Sequence, residues 1–146
     1  MIMAQDMVQR NDGDMIVAED DGQSIINGFP QAKTMADKVE QFNAQNSATS
    51  LNDLGDDEVI GIRGIMIEPG SRKDRTTGIP QPCLNTYLLT DKGGLFSQSG
   101  GIAKSARFIL MRFGKPEDWP DGKLQAHVKT TALKNGNTLK SIELVG

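Results

Sequence analysis

One stretch of the sequence constrains the fold more than any other. Residues 59–68 read VIGIRGIMIE, and a run so rich in β-branched side chains predicts a strand. Gly61 and Gly64 stand inside this run, and glycines within a strand indicate a bulge or a tight coil where a sheet bends. Because strongly curved sheets form barrels, we expect a mainly β fold built around a barrel.

The next segments predict a loop, a hairpin and a helix. Residues 69–82 are rich in Pro, Gly and charged side chains and predict a long loop. Residues 84–89 and 95–97 predict two strands joined by a tight turn at residues 91–94, where paired glycines allow positive φ. Residues 102–113 carry apolar side chains at helical spacing, and a glycine and a proline follow as stop signals.

The last twenty-three residues predict a second hairpin. Residues 124–132 alternate apolar and polar side chains, residues 134–137 form a turn, and residues 138–145 return, with a bulge expected near Lys140. The resulting order is strand, strand, strand, helix, strand, strand. A five-stranded OB-fold barrel with one helix between strands 3 and 4 has this order, and its face often binds oligonucleotides.

The N-terminal part of the chain differs from the rest. Residues 1–36 contain five of the seven methionines and short apolar pieces broken by acidic and Gly stretches. They predict an N-terminal arm that docks on another surface, a possible oligomerisation segment, or alternatively a poorly ordered terminus. Residues 39–44 alternate and predict a strand, with Phe42 in the core. We therefore divide the chain into an arm, residues 1–36, and an OB-fold nucleic-acid-binding domain, residues 37–146.

The charge is distributed unevenly along the chain. Residues 1–58 carry three basic and twelve acidic side chains, a net charge of −9, whereas residues 59–146 carry thirteen basic and seven acidic ones, a net charge of +6. Such an asymmetry indicates a polyanion-binding face, or an acidic segment that meets a basic one. The alternative is that solvated charges cluster without a partner.

Several functions lack the residues that they need. The chain has one Cys, Cys83, and one His, His127, so a disulfide or a Cys/His zinc site is not expected. The start lacks the basic region of a signal peptide, and no apolar run approaches the length of a membrane span. No catalytic constellation is present. We expect a cytoplasmic protein that is not an enzyme, needs no cofactor or metal, and does not bind a membrane.

Three short motifs carry a resemblance. The segment that begins QFNAQ at residues 41–45, the hairpin DKGGLFS at residues 91–97 and the terminal NGN turn at residues 135–137 resemble the small single-stranded-DNA-binding proteins of protein-primed phages of Gram-positive bacteria. Related OB-fold proteins occur on conjugative plasmids of the same hosts. The resemblance covers about residues 40–146. It implies binding of single-stranded DNA without sequence specificity during replication or transfer, and it makes Phe96 a stacking residue.

Candidate contacts follow from what a single strand requires, namely cations along its phosphates and flat side chains on which its bases stack. Trp119 could stack or close one end of the barrel, and Tyr87 could instead belong to the core. A solvated charged face remains the alternative for the cations. The predicted DNA-binding residues are Arg63, Arg72, Lys73, Arg75, Tyr87, Lys92, Phe96, Lys129, Lys134 and Lys140.

These observations predict a protein that coats single-stranded DNA during phage or plasmid replication or transfer. The arm would reach a neighbouring subunit, so that self-association builds a filament on the DNA. The alternative is a β-barrel module of a phage or plasmid system that serves protein assembly alone.

Overall fold

A single curled β-sheet organises the chain. The structure, a computed structural model, describes residues 16–20, 23–55 and 58–145. Two helices and three one-turn 3-10 helices accompany the strands of this part of the chain. In chain order the elements are β1 (Ile16–Asp20), β2 (Gln23–Gly28), α1 (Met35–Asn46), β3 (Thr49–Ser50), β4 (Ile60–Lys73), β5 (Pro80–Thr90), β6 (Gly93–Ser97), α2 (Gly100–Phe113), β7 (Leu124–Ala132) and β8 (Thr138–Leu144).

Strand β4 is the centre of the sheet. It pairs antiparallel with β5 along one edge, β5 pairs with β6, and the two-residue β3 pairs parallel with β6. The other edge of β4 is shared, since Ile60–Ile62 pair with β7 and Ile65–Ile67 pair with β2. The register shifts between Ile62 and Gly64. The predicted bend in this strand is therefore confirmed, and it curls the sheet into a barrel-like shape.

Glycine permits that bend because no side chain fits at the turning point. A Cβ atom at Gly64 would lie 2.8 Å from Cδ of Pro30 and 3.1 Å from Cα of Phe29. The buried core lies inside the curl, where α2 packs against β4, β5 and β8. The helix predicted over residues 102–113 is confirmed as α2. The largest buried side chains of this core come from Ile60, Ile62, Ile65, Ile67, Leu88, Leu95, Ile102, Ile109, Leu110 and Trp119.

The strand predicted over residues 39–44 is wrong, because these residues lie in α1. Thr34 caps this helix: its hydroxyl accepts a hydrogen bond from the Asp37 amide, and the Asp37 carboxylate accepts one from the Thr34 amide. Helix α1 packs on the sheet through Ala44, with which a Cβ at Gly94 would collide. Phe42 is 63% exposed, so its predicted place in the core is also wrong.

The predicted loop over residues 69–82 is wrong as well. Strands β4 and β5 continue through it as a two-stranded ribbon, with the last pair between Lys73 and Pro80. Only residues 74–79 form the connecting turn. The predicted bulge near Lys140 is absent, since β7 and β8 pair in unbroken register from Ala126–Leu144 to Ala132–Thr138. Both predicted tight turns are confirmed, with Gly93 and Gly136 at positive φ.

Part of the predicted arm belongs to the sheet. Strand β2 pairs with β4, and Phe29 is buried against Ala44 and Leu89. With β1, β2 and the short β3, the described part of the chain has eight strands rather than five. Residues 1–15, which hold most of the arm's methionines, lie outside the described residues. Within the described ranges neither helix is long and apolar enough to cross a membrane.

Candidate nucleic-acid interface

A row of three large side chains crosses the outer face of the sheet. Met66, Tyr87 and Phe96 are register partners on β4, β5 and β6. Each alternates with a buried residue, so the pleat directs all three away from the main core. The Tyr87 and Phe96 rings lie with centroids 5.4 Å apart and planes tilted by 40°, and both side chains are half-buried. Met66 and Tyr87 pack partly against the second buried cluster of Phe29, Ala44 and Leu89, and the row as a whole forms a partly exposed surface.

The tyrosine hydroxyl is kept protonated at neutral pH. Burial raises the pKa of Tyr87, and the nearby Glu68 carboxylate raises it further by its charge and by a hydrogen bond. Glu68 in turn accepts a 3.0 Å hydrogen bond from Nε2 of Gln45 on α1. A carboxylate at this position repels phosphates, so the surface around Tyr87 suits the flat faces of bases better than a backbone.

The β4–β5 ribbon presents three of the predicted cations at its tip. Arg72 and Lys73 end β4, and Arg75 lies in the turn; all three are exposed. The only carboxylate of that turn, Asp74, accepts hydrogen bonds of 2.7 and 3.0 Å from the amides of Thr76 and Thr77. Those bonds lower the pKa of Asp74. In the described part of the chain the three cations therefore form no ion pair.

Hydrogen bonds also tie this ribbon to the end of β6. Nη1 of Arg72 donates a 3.3 Å hydrogen bond to the carbonyl oxygen of Gln98. The Gln98 amide donates to the carbonyl oxygen of Ser71, at 3.2 Å, and to Oδ1 of Asn85, at 3.1 Å. Because Gln98 follows Phe96 by two residues, these bonds hold the arginine beside the aromatic row. A carbonyl partner leaves the arginine charge uncompensated.

The β7–β8 hairpin carries three more predicted cations. Lys134 is exposed in the turn. Lys129 lies 3.8 Å from Oε2 of Glu143, whose other oxygen is 2.8 Å from Nε2 of His127. Lys140 donates a hydrogen bond to the side chain of Asn52, which lies just beyond β3. The hairpin therefore offers two charges without a carboxylate partner among the described residues, those of Lys134 and Lys140.

Both cationic hairpins are tied to segments next to Phe96 in the sheet. Ser50 on β3 is the register partner of Phe96, and Asn52, two residues later, holds Lys140. Gln98, two residues after Phe96, holds Arg72. Arg72 and Lys140 are thus each bonded to a residue two positions from Phe96 or from its β3 partner.

The remaining two predicted cations lie elsewhere and are paired. Arg63 on β4 forms an ion pair with Glu40 of α1, and Lys92 pairs with Glu58, whose pKa it lowers. Glu40 and Lys92 line a groove of about 850 Å³ between α1 and the β5–β6 turn. Arg63 and Lys92 are therefore not brought together with the hairpin cations.

The structure also defines the positions of Trp119 and Cys83. Trp119 is buried, and its Nε1 donates a 3.1 Å hydrogen bond to the carbonyl oxygen of Gly114, so it packs in the core instead of stacking on a ligand. Cys83 is half-buried near Asn85 on the outer face. Sequence reasoning missed Met66, Asn85 and Gln98. The alternation of Met66 with two isoleucines could have placed it beside the aromatic row, whereas no sequence signal marks the two amides.

The described residues contain no group of three or more His, Cys, Asp or Glu side chains that could hold a metal ion. Comparison of the chain with protein-family models, with curated proteins and with solved structures gave no match.

Proposed function

We propose that this chain is an OB-fold protein that binds single-stranded DNA without sequence specificity, with bases stacked on Phe96 and Tyr87 and phosphates on the two cationic hairpins. The observation that carries the proposal is the partly exposed Phe96 ring on β6, with Arg72 bonded to Gln98 two residues after it and Lys140 bonded to Asn52 two residues after its β3 partner. Single-strand binding requires two elements, cations that contact the phosphates and aromatic rings on which the bases stack.

The strand order supports an OB-fold. The sequence β6, β5, β4, β7, β8 runs through neighbouring strands, with α2 between β6 and β7 in the chain. An OB-fold binds oligonucleotides on its second and third strands and on the loops after its first and fourth strands. Here these elements correspond to β5, β6 and the β4–β5 and β7–β8 hairpins, which carry Tyr87, Phe96 and the cations that have no carboxylate partner among the described residues.

Substitution of Phe96 tests the proposal. Because stacking on one aromatic side chain contributes about 1–3 kcal/mol per base, Phe96→Ala is expected to weaken binding to every homopolymer by about 5- to 150-fold. Phe42→Ala on α1 is the matched control, since Phe42 is an exposed phenylalanine away from the row. Affinity is measured by anisotropy of labelled oligonucleotides after thermal unfolding has shown that both variants fold. Equal affinities for the two variants would contradict the assignment of Phe96.

A second candidate function, protein assembly without nucleic acid, has one observation in its favour. Met35, Val39 and Phe42 form an exposed apolar stripe on α1, with exposed fractions of 72%, 50% and 63%. Exposed apolar patches mark interaction surfaces. Salt-dependent retention of the protein on an immobilised single-stranded oligonucleotide separates the two functions. Retention supports DNA binding, and assembly in solution without retention supports the alternative.

The cellular role proposed for the chain, coating of single-stranded DNA during phage or plasmid replication or transfer, rests on the sequence resemblance. Self-association through residues 1–36 also stays a prediction. Its first fifteen residues lie outside the described part of the chain. Since β2 is a strand of the sheet, a truncation that tests this prediction should remove residues 1–15 and keep β1 and β2.

A further inference from the structure

The outer side of α2 carries an unusual combination of side chains. Residues 104, 107, 108, 111 and 112 recur at intervals of three and four, so they form one stripe along the helix. The opposite side is buried in the core through residues such as Ile102, Ala106 and Ile109. All five residues of this stripe are exposed, and we call them the α2 face: Lys104, Arg107, Phe108, Met111 and Arg112.

The positive charge of the α2 face is not compensated. The helix contains no acidic residue, and none of its three cations forms an ion pair within the described part of the chain. Nζ of Lys104 lies 5.7 Å from the centre of the Phe108 ring. The Phe108 and Met111 side chains are 56% and 78% exposed. Cations on a solvated helix surface are usually stabilised by acidic residues at the i, i+4 spacing. Helix α2 contains no acidic residue at any position.

The α2 face continues from the candidate interface. Helix α2 begins three residues after the last residue of β6, the strand that carries Phe96. Its first turn lies against β8, because a Cβ at Gly101 would collide with the carbonyl oxygen of Lys140. The hydroxyl of Ser105 accepts a 3.1 Å hydrogen bond from the Ile142 amide. The cationic β7–β8 hairpin therefore adjoins the start of the α2 face.

We propose that the α2 face is a second contact surface for the same single strand, so that a strand leaving Phe96 passes Lys140 and continues along α2. This inference rests on the proposed function. Cations interleaved with an exposed aromatic ring are the composition that tracks phosphates and stacks bases. The stripe covers the nine residues from Lys104 to Arg112, or about 12 Å of helix, and its three cations are spread over this length around the Phe108 ring, as contact with a polyanion requires.

An anionic membrane fits this surface less well. A helix that lies in a bilayer inserts a continuous apolar side, but Ile102, Ile109 and Leu110 already face the protein core. Only Phe108 and Met111 remain on the α2 face, between the cations. The arrangement favours contact with a charged polymer at the surface over insertion into lipid.

The test compares a short strand with a long one. The variant Lys104→Glu, Arg107→Glu, Arg112→Glu removes the cations of the α2 face, and the control Lys33→Glu, Lys38→Glu, Lys123→Glu makes the same change in charge at exposed lysines elsewhere. Oligo(dT) of about 8 nucleotides lies within the site size of one OB-fold, and oligo(dT) of about 30 nucleotides exceeds it. Labelled protein is titrated with excess oligonucleotide, so that one chain binds each strand.

We expect both variants to bind the short strand alike. On the long strand the α2 variant should bind at least tenfold more weakly than the control. The slope of log K against log salt should also decrease in magnitude by up to about 2, since each lost phosphate contact removes about 0.7. Phe108→Ala should lower affinity for the long strand alone, and it provides the test if the triple variant does not fold.

Three outcomes of these experiments would contradict the inference. If the wild-type protein binds the short strand and the α2 variant equals the control on the long one, the inference fails and the proposed function stands. If the wild-type protein binds neither strand, both fail. If phosphatidylserine vesicles bind the wild-type protein but not the α2 variant, while affinity for the long strand is unchanged, the α2 face is a membrane contact and the inference is wrong.

Discussion

Neutralisation of the β4–β5 tip removes three positive charges that have no carboxylate partner in the described part of the chain. The variant Arg72→Gln, Lys73→Gln, Arg75→Gln alters only exposed side chains. If all three contact phosphates, the slope of log K against log salt should become about 2 less steep, because each contact on a single strand contributes about 0.7. The assay is an anisotropy titration of a short oligo(dT) at four or five salt concentrations.

The control for this variant is Lys33→Gln, Lys38→Gln, Lys123→Gln, which changes the net charge equally. It separates local phosphate contacts from the general field of the protein, since long-range effects of charge are shared by both variants. Thermal unfolding shows whether loss of the bond from Arg72 to Gln98 disturbs the ribbon. An unchanged slope in a folded hairpin variant would remove the β4–β5 tip from the interface and refute the reasoning.

Three further predictions concern single positions. Oγ1 of Thr86 is buried without a hydrogen-bond partner among the described residues, so Thr86→Val should raise the free energy of unfolding by about 1 kcal/mol in a urea titration; a decrease would show that the hydroxyl has a partner. Gly94→Ala places a Cβ against the backbone of Ala44 in α1 and should lower the free energy of unfolding by about 1–3 kcal/mol, whereas unchanged stability would mean that α1 moves freely. Tyr87 is the only tyrosine, and burial and Glu68 raise its pKa. Its absorbance titration should therefore have a midpoint above about 10, which Glu68→Gln brings closer to 10, and a midpoint at or below 10 would contradict the position of the ring.

The raised pKa of Tyr87 also makes the stability of the folded protein depend on pH. Because the pKa of Tyr87 is higher in the folded protein than in the unfolded chain, the folded state holds its proton more tightly. The free energy of unfolding should be unaffected by this group below about pH 10 and should fall as the pH rises from the unfolded to the folded pKa. Urea unfolding of the wild-type protein and Tyr87→Phe over this range isolates the effect.

The sequence predicts well those elements whose signals are local. The β-branched run with Gly61 and Gly64 predicts a bent central strand, and the structure has its register shift at that place. The helical spacing of residues 102–113 predicts α2, and the glycines at two turns predict positive φ. In each case the signal is local: burial produces a regular spacing of apolar residues, and a positive φ favours a glycine at one position.

The errors arise where two patterns compete. Residues 39–44 alternate as a strand does, but the capping box of Thr34 and Asp37 starts a helix just before them. Pro69, Pro80 and Pro82 indicated a loop, yet all three lie in the β4–β5 ribbon beyond the residues of β4 that pair with β2. Proline is tolerated there because β4 and β5 pair with each other alone, so part of each backbone edge faces solvent.

The candidate site could be predicted only in part, because its members are joined by contacts between distant segments. Phe96 and the tip cations carry sequence signals, but the hydrogen bonds that tie Arg72 to Gln98 and Lys140 to Asn52 do not. The pairing of Arg63 with Glu40, an acidic residue twenty-three positions away, is likewise visible only in the folded chain.

Photo-crosslinking tests the central claim most directly. The intact protein is irradiated with a short oligo(dT) that carries 5-iododeoxyuridine, and the crosslinked peptides are identified by mass spectrometry. We expect crosslinks at Phe96 and Tyr87, because bases stacked on these rings lie within contact distance. Crosslinks confined to the α1 stripe of Met35, Val39 and Phe42, or the absence of any complex at low salt, would contradict the proposal that single-stranded DNA binds across this face.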